Sequence, residues 1–152
     1  MRLQQIMPLF YDRHQSLGHL AGLAHRLLSI LLGRRFREAG LDLTAEQWGA
    51  ILVLADGDSM TQQQLGARLF LEKSSVSRLV DGLERRGWIV REPDPDDGRH
   101  KLVALTSQAE AMLEPAAAIA RGVLDEAQRG MPQAQRLACR ELLGHIIGNL
   151  SG

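Results

Sequence analysis

Apolar residues recur every three or four positions along most of this chain, the spacing that gathers side chains on one face of a helix. This periodicity predicts six helices, while two short runs between the fourth and fifth have the composition of strands. The predicted helices cover residues 12 or 16 to 39, 44 to about 56, 61–70, 74–86, 106–128 and 132–150. The predicted strands cover residues 88–92 and 100–105, around a tip rich in Asp, Pro and Gly.

Several helix ends are marked by residues that satisfy free backbone groups. Thr44 with Gln47, and Thr61 with Gln64, each match the capping box, in which two side chains bond reciprocally to backbone N–H groups. Gly87 follows the fourth helix, where a glycine readily takes the left-handed conformation that ends helices. These residues predict where helices two, three and four begin or end.

The buried faces follow from the same spacing. In the second helix, Trp48, Ile51, Leu52 and Ala55 share one face and are expected to be buried. The fourth helix has a comparable apolar stripe of Val76, Leu79, Val80 and Leu83. Its opposite face is polar and small, and carries Ser74, Ser75, Ser77, Arg78, Asp81, Gly82 and Arg85.

The polar face of the fourth helix suits a DNA groove. Short hydroxyls and a glycine permit close approach, serine can bond a base edge or a phosphate, and arginine can grip guanine with two hydrogen bonds. The helix lacks a strong N-cap near Glu72 and Lys73, so its free N–H groups could bind a phosphate. Two helices, a tight turn and a ribbon form the winged-helix arrangement, which predicts a DNA-binding regulator.

The first helix predicts self-association. It is about 25 residues long and apolar on nearly all sides in its middle, and one small domain cannot easily cover such a surface. We therefore expect a homodimer, with the apolar tail at residues 1–12 docked on the partner.

The segments GLDLTAEQWGAILVLADGDSMTQQQLGARL and LEKSSVSRLVDGLERRGWIVREPDPDDGRHKLVALT resemble the MarR (multiple antibiotic resistance regulator) family of winged-helix repressors. The most specific part is the wing, where Asp97-x-Arg99 is followed by Leu105-Thr106. The resemblance covers nearly the whole chain. It implies a mainly α fold of about six helices with a small β-wing. Residues 41–106 would form the winged helix-turn-helix region of a homodimer, and residues 1–40 and 107–152 its helical dimerisation region, with the first, fifth and sixth helices at the interface.

The resemblance also implies how double-stranded DNA is held, with the fourth helix in the major groove and the wing arginine in the minor groove. Asp97 would brace Arg99 through a salt bridge. The residues implied at the DNA interface are Gln62, Gln63, Lys73, Ser74, Ser75, Ser77, Arg78, Asp97, Arg99 and Lys101. Many family members release DNA on binding a small, often phenolic, effector, and the candidate ligand residues here are His25, Trp48 and Met112.

Two positions depart from the family pattern. Gly98 stands where a second basic residue is common, which lowers the positive charge of the wing. Phe70 stands where a glycine commonly ends the third helix, so a different packing of that turn is expected.

The charge balance limits how DNA can be bound. Eighteen basic residues match eighteen acidic ones, and the formal net charge is zero. Residues 68–101 contain eight basic and seven acidic residues, a local excess of one positive charge. Non-specific attraction to phosphates is therefore modest, and binding must rely on a few well-placed cations. The neutral charge also favours an alternative, in which the winged helix binds another protein.

Other chemistry finds little support in the sequence. A Gly-rich phosphate loop, a G-x-S-x-G elbow and an H-E-x-x-H pair are all missing, so neither an enzyme nor a cofactor is expected. Cys139 fits a reducing cytosol, and its place in an apolar helix favours a buried, inert thiol over an oxidant sensor. The five histidines lack metal-ligand spacing. No apolar run approaches the ~20 residues of a membrane span, so we expect a cytoplasmic protein without membrane contact.

Overall fold

The computed structural model describes residues 12–57 and 59–152. Within these residues the elements in chain order are α1 (Leu17–Glu38), α2 (Ala45–Ala55), β1 (Met60–Thr61), α3 (Gln62–Leu69), α4 (Lys73–Arg85), β2 (Ile89–Pro93), β3 (Lys101–Leu105), α5 (Ser107–Ala127) and α6 (Gln133–Ser151). The helices, and the wing that β2 and β3 form, confirm the predicted fold class. The predicted docking of the N-terminal tail concerns residues that lie, except for residue 12, outside the described range.

The predicted capping boxes are both present. Thr44 Oγ1 accepts a hydrogen bond from the backbone N–H of Gln47 at 3.1 Å, and Gln47 Oε1 accepts one from Thr44 at 3.1 Å. Thr61 and Gln64 form the same pair of bonds at 3.1 and 2.9 Å. Gly87 has a φ of 79° and ends α4 as predicted. The sequence therefore locates these helix ends correctly because each signal is local.

The wing belongs to a three-stranded antiparallel sheet in the order β1-β3-β2. Met60 of β1 and Arg91 of β2 both pair with Val103 in the central strand β3. The sequence did not predict β1, because two residues are too few to show the alternation that marks a strand. Since β1 leads directly into α3, it joins the root of the wing to the helix-turn-helix.

One hydrophobic core connects the helices to the root of the wing. Its largest fully buried side chains are Phe36, Ile51, Leu65, Val80, Leu83 and Val103. The predicted stripe of α4 is buried as expected, so this helix is held by one side and exposes the other.

The predicted buried face of α2 is partly wrong. Trp48 and Ile51 are buried, but Leu52 is 41% exposed, Ala55 is exposed as well, and Leu54 is buried instead. The reason is that α2 contacts α1, α3, α4 and β3. A helix with neighbours on several sides buries a wider surface, and the buried face lies at a different angle around the helix axis from the predicted four-residue stripe.

The prediction that Gly82 lies on the exposed polar face of α4 is also wrong. Gly82 is buried against α2, and a Cβ atom there would lie 3.2 Å from Nε2 of Gln47. Gln47 is itself 6% exposed. The missing side chain therefore serves the close approach of α2 and α4 and not the approach of a ligand.

Phe70 occupies the turn between α3 and α4 in an unfavourable backbone conformation. Its φ of 54° and ψ of 38° lie in the left-handed region, which favours glycine. The phenyl side chain is 70% exposed, so it gains little burial in return. The turn thus keeps the conformation that a glycine would provide, although the residue is a phenylalanine.

The prediction of a buried Cys139 is wrong for the protomer, where this residue is exposed. None of the residues of α6, all of which are described, is buried. The helix leaves the core after the turn at Gly130, so most of its apolar residues stay exposed within the protomer. An apolar sequence pattern does not distinguish burial in a core from burial against another chain.

Candidate nucleic-acid interface

The amino-terminal half of α4 presents its polar residues on the open side of the molecule. Lys73, Ser74 and Arg78 are exposed, while Ser75 and Ser77 are half-buried. Within the described residues, none of these side chains has a hydrogen-bond or ion-pair partner in the same chain. They are therefore available to an external ligand, as expected for side chains that contact DNA.

The start of α4 leaves backbone donors unsatisfied, as the sequence predicted. Glu72 occupies the N-cap position in an extended conformation, but its side chain accepts no hydrogen bond from the first turn. Lys73 is the first residue of the helix, and Ser74 and Ser77 line the same shallow hollow beside it. Free N–H groups, two hydroxyls and an ammonium group together suit a phosphate oxygen.

The wing tip is built around Asp97. Its Oδ1 accepts hydrogen bonds from Nε of Arg99 at 3.1 Å and from the Arg99 backbone N–H at 3.2 Å, and its Oδ2 accepts one from Nη2 at 3.3 Å. The hydrogen bonds from Arg99 hold the pKa of the Asp97 carboxyl below its usual range. The Arg99 side chain is nevertheless 89% exposed. Asp97 therefore orients the guanidinium without covering it.

A second hollow lies between the start of α3 and the wing. It brings together several of the predicted residues, since its lining includes Gln62, Gln63 and Lys101. Gln62 is already engaged, because its Oε1 accepts a hydrogen bond from Nη2 of Arg91 at 3.3 Å. Gln63 and Lys101 are exposed, so the polar surface extends around the root of the wing.

Arg91 is the residue in this region that sequence reasoning missed. Its Nη2 lies 2.7 Å from Oδ1 of Asp81, and its Nη1 lies 2.7 Å from Oε1 of Glu84. The hydrogen bond with Asp81 is the main cause that raises the pKa of Arg91 above its ordinary value. One side chain of the wing thus holds two carboxylates of α4, and nothing in the local sequence signals pairs that are seven and ten residues apart.

The carboxyl end of α4 is fixed by a separate set of contacts. Arg86 Nε lies 3.2 Å from Oδ2 of Asp42, and Arg86 also bonds to Oε1 of the buried Gln47. Trp88 Nε1 donates a hydrogen bond to the Asp42 backbone carbonyl at 2.9 Å. These contacts join α4 to the segment before α2, so the polar face of α4 has a defined orientation on the core.

The three candidate ligand residues do not form one site. Trp48 packs edge-to-face on Phe36 with ring centroids 6.0 Å apart, and Met112 is 6% exposed in the same core. His25 instead lines an open cavity of about 800 Å³ between α1, α2 and the turn after α3. The other residues of this cavity are Arg26, Ser29, Ile30, Gly33, Arg37, Thr44, Ala45, Glu46, Leu69 and Leu71.

Two large apolar faces are exposed on the helices at the ends of the chain. On α1 the exposed residues are Leu17, Leu20, Leu23, Leu27 and Ile30, and on α6 they are Leu137, Leu142, Leu143, Ile147 and Leu150. Contiguous exposed apolar surface of this kind marks an interaction site.

The described chain contains neither a group of possible metal ligands nor a membrane-spanning helix. Between residues 12 and 57 and between 59 and 152, no three His, Cys, Asp or Glu side chains are grouped closely enough to hold a metal ion. Across the same two stretches, no helix combines the length and the apolarity needed to cross a bilayer.

The fold and these surfaces define a winged helix-turn-helix protein. Comparison with known proteins identifies its family. The MarR family matches residues 41–100. The regulator YwoH of Bacillus subtilis, an uncharacterized HTH-type transcriptional regulator, is 31% identical over 105 residues, which are 69% of this chain and 73% of YwoH. The chain belongs to the MarR family of transcriptional regulators. Its relatives are regulators and not enzymes, as the sequence predicted.

Other similarities are shorter or concern the fold. The HTH-type transcriptional regulator SarZ of Staphylococcus saprophyticus is 31% identical over 85 residues, which are 56% of this chain and 58% of SarZ. For several Bacillus relatives the match spans about half of their length. A probable transcriptional regulator of Pseudomonas aeruginosa has a TM-score of 0.80 at 29% identity, covering 90% of this chain and 100% of that one. BpsR of Bordetella bronchiseptica, whose DNA binding is regulated by 6-hydroxynicotinic acid, has a TM-score of 0.78 at 23% identity over 90% and 96% of the two chains.

Proposed function

We propose that this protein is a cytoplasmic repressor that binds a pseudo-palindromic DNA operator as a homodimer. Each subunit places α4 in a major groove and Arg99 in the adjacent minor groove. The observation that carries this proposal is the pairing of an uncapped, hydroxyl- and cation-bearing face of α4 with a wing arginine that is oriented by Asp97 yet exposed.

The neutral net charge supports the dimer. One recognition surface with few free cations attracts phosphates weakly, so a single copy should bind poorly. The exposed apolar faces of α1 and α6 lie outside the winged-helix region and are well suited to cover each other across a two-fold axis. Two copies held at a fixed spacing then contact half-sites about 10 base pairs apart on one side of the duplex.

Selection of bound sequences from a random DNA pool tests the proposal. We expect enrichment of an inverted repeat and an affinity that falls steeply with salt. Arg78→Ala should weaken binding to the enriched sequence, whereas Arg129→Ala, which removes an exposed arginine in the turn between α5 and α6, should not. Selection that enriches no sequence would contradict the proposal and would favour the alternative of a protein-binding winged helix.

The cavity beside His25 supports a second element of the proposal, a small aromatic acid as effector. Arg26 and Arg37 supply positive charge for a carboxylate or phenolate, while Leu69 and Leu71 supply apolar walls for a ring. The cavity adjoins α1 and the turn before α4. A ligand that fits one arrangement of these helices better would shift the spacing of the two recognition helices.

A panel of aromatic acids that includes 6-hydroxynicotinic acid, titrated against the protein–DNA complex, tests this element. We expect release of DNA by at least one acid, and loss of that response in Arg26→Ala and Arg37→Ala. Arg34→Ala is the matched control, because Arg34 pairs with Glu38 outside the cavity. Release by peroxide that is abolished in Cys139→Ser would favour the oxidant-sensing alternative instead.

A further inference from the structure

Arg91 occupies the border between the anchored and the free part of the wing. In the antiparallel ribbon, Arg91 pairs with Val103 and Ile89 pairs with Leu105, so these four side chains share the face that meets the core. Val103 is 1% and Ile89 is 2% exposed. The next pair on this face, Pro93 and Lys101, is exposed, so the apolar anchoring of this face ends at the level of Arg91.

At this border the guanidinium of Arg91 contacts both helices of the helix-turn-helix. It bonds to Asp81 and Glu84 of α4 at 2.7 Å each and to Gln62 of α3 at 3.3 Å. The Arg91 side chain is 23% exposed, whereas those of Asp81 and Glu84 are 56% and 43% exposed. A planar guanidinium can satisfy several acceptors in fixed directions, which a single ammonium group cannot.

We propose that Arg91 is a positioning residue that sets the angle of the wing relative to α4, and thereby determines where Arg99 meets DNA. This inference rests on the proposed function. Without the bracket formed by Arg91, Asp81, Glu84 and Gln62, the ribbon beyond Leu102, where the pairing with β1 ends, is held only by its own strand pairing. The wing tip then samples a range of positions, and Arg99 reaches the minor groove in a small fraction of them.

An alternative role for Arg91 is simple charge compensation. Asp81 and Glu84 lie on the exposed side of α4, where two uncompensated carboxylates would repel phosphates. That role and the positioning role both predict weaker DNA binding for Arg91→Ala. The two roles differ in whether the contribution of Arg99 to DNA affinity depends on Arg91.

A double-mutant cycle between Arg91→Ala and Arg99→Ala on the selected operator separates the two roles. If Arg91 positions the wing, removal of Arg99 costs about tenfold in affinity in the parent protein but less than about threefold in the Arg91→Ala background, because residues that act as one unit are not additive. Equal costs in both backgrounds would overturn the positioning role. Arg91→Lys retains the charge without the planar fork, so affinity equal to that of the parent would overturn it as well.

Hydrogen exchange in the absence of DNA gives a readout that does not depend on the proposed function. In Arg91→Ala and Arg91→Lys, the amides between residues 93 and 101 should exchange at least about threefold faster, while those of α5 should keep their protection. Unchanged exchange in the wing would contradict the bracket even if DNA binding were lost. If the parent protein binds no DNA, the proposed function fails, and faster exchange in the wing would still support the bracket.

Discussion

The turn between α3 and α4 carries a backbone strain that can be measured. Phe70 has a φ of 54° and is 70% exposed. The left-handed conformation costs a residue with a Cβ atom about 1–2 kcal/mol. At an ordinary position the order is reversed, since glycine is less stable than alanine by about 0.5–1 kcal/mol because it loses more conformational freedom on folding.

The comparison of Phe70→Gly with Phe70→Ala isolates this strain, because both variants lose the same phenyl group. We expect Phe70→Gly to be the more stable by about 1 kcal/mol, which corresponds to about 2–4 °C in Tm for a chain of this size. Thermal and urea unfolding followed by circular dichroism would measure the difference. Ala111→Gly, at an exposed position inside α5, is the control and should lose about 1 kcal/mol.

The result that would refute this reasoning is a Phe70→Gly variant less stable than Phe70→Ala. Equal stability would likewise show that the turn does not hold the backbone in the left-handed region. Because this turn sets the orientation of α4 relative to α3, the outcome also shows how firmly α4 is held.

Further predictions concern the helix-turn-helix and the wing. Gly66→Ala should destabilise the fold by about 1–3 kcal/mol, because the new Cβ atom would lie 3.1 Å from Cγ1 of Val76, and Val76→Ala should recover part of the loss in urea unfolding. Arg99→Ala should weaken operator binding about tenfold without changing the mass of the dimer in light scattering, and unchanged affinity would contradict the role of the wing. Arg78→Ala should cost about 1–3 kcal/mol of operator binding if it reads a guanine, whereas an equal loss on all sequences would mark a phosphate contact. The pKa of Asp97 is lowered in the folded protein, so its pair with Arg99 contributes to stability above the unfolded pKa, and this contribution is lost as pH falls through the folded pKa. An NMR titration of the Arg99 Nε–H signal would follow the loss.

The parts of the fold that sequence could predict are those with local causes. The capping boxes of Thr44 and Thr61 lie within four residues of their partners, and the apolar stripe of α4 repeats within one helix. The wing signature, Asp97-x-Arg99, likewise forms a contact across two residues. In each case the chemistry that determines the structure lies within a few residues of sequence.

The parts that sequence could not predict depend on contacts between distant elements. Arg91 bonds to Gln62, which is 29 residues away, and its strand gives no sign of this bond. Gly82 is buried because it meets Gln47, which only the packing of α2 on α4 determines. Cys139 is exposed because α6 buries none of its residues within the protomer, which its apolar pattern does not reveal.

The spacing of half-sites tests most directly whether two joined subunits read DNA with their α4 helices and wings. The measurement is the affinity of the protein for the selected operator and for a version with five base pairs inserted between the half-sites, which rotates one half-site by about half a helical turn. A dimer held together by α1 and α6 should bind the altered operator no better than a single half-site. Equal affinity for both operators would contradict a dimer of fixed spacing and would indicate that each subunit binds DNA by itself.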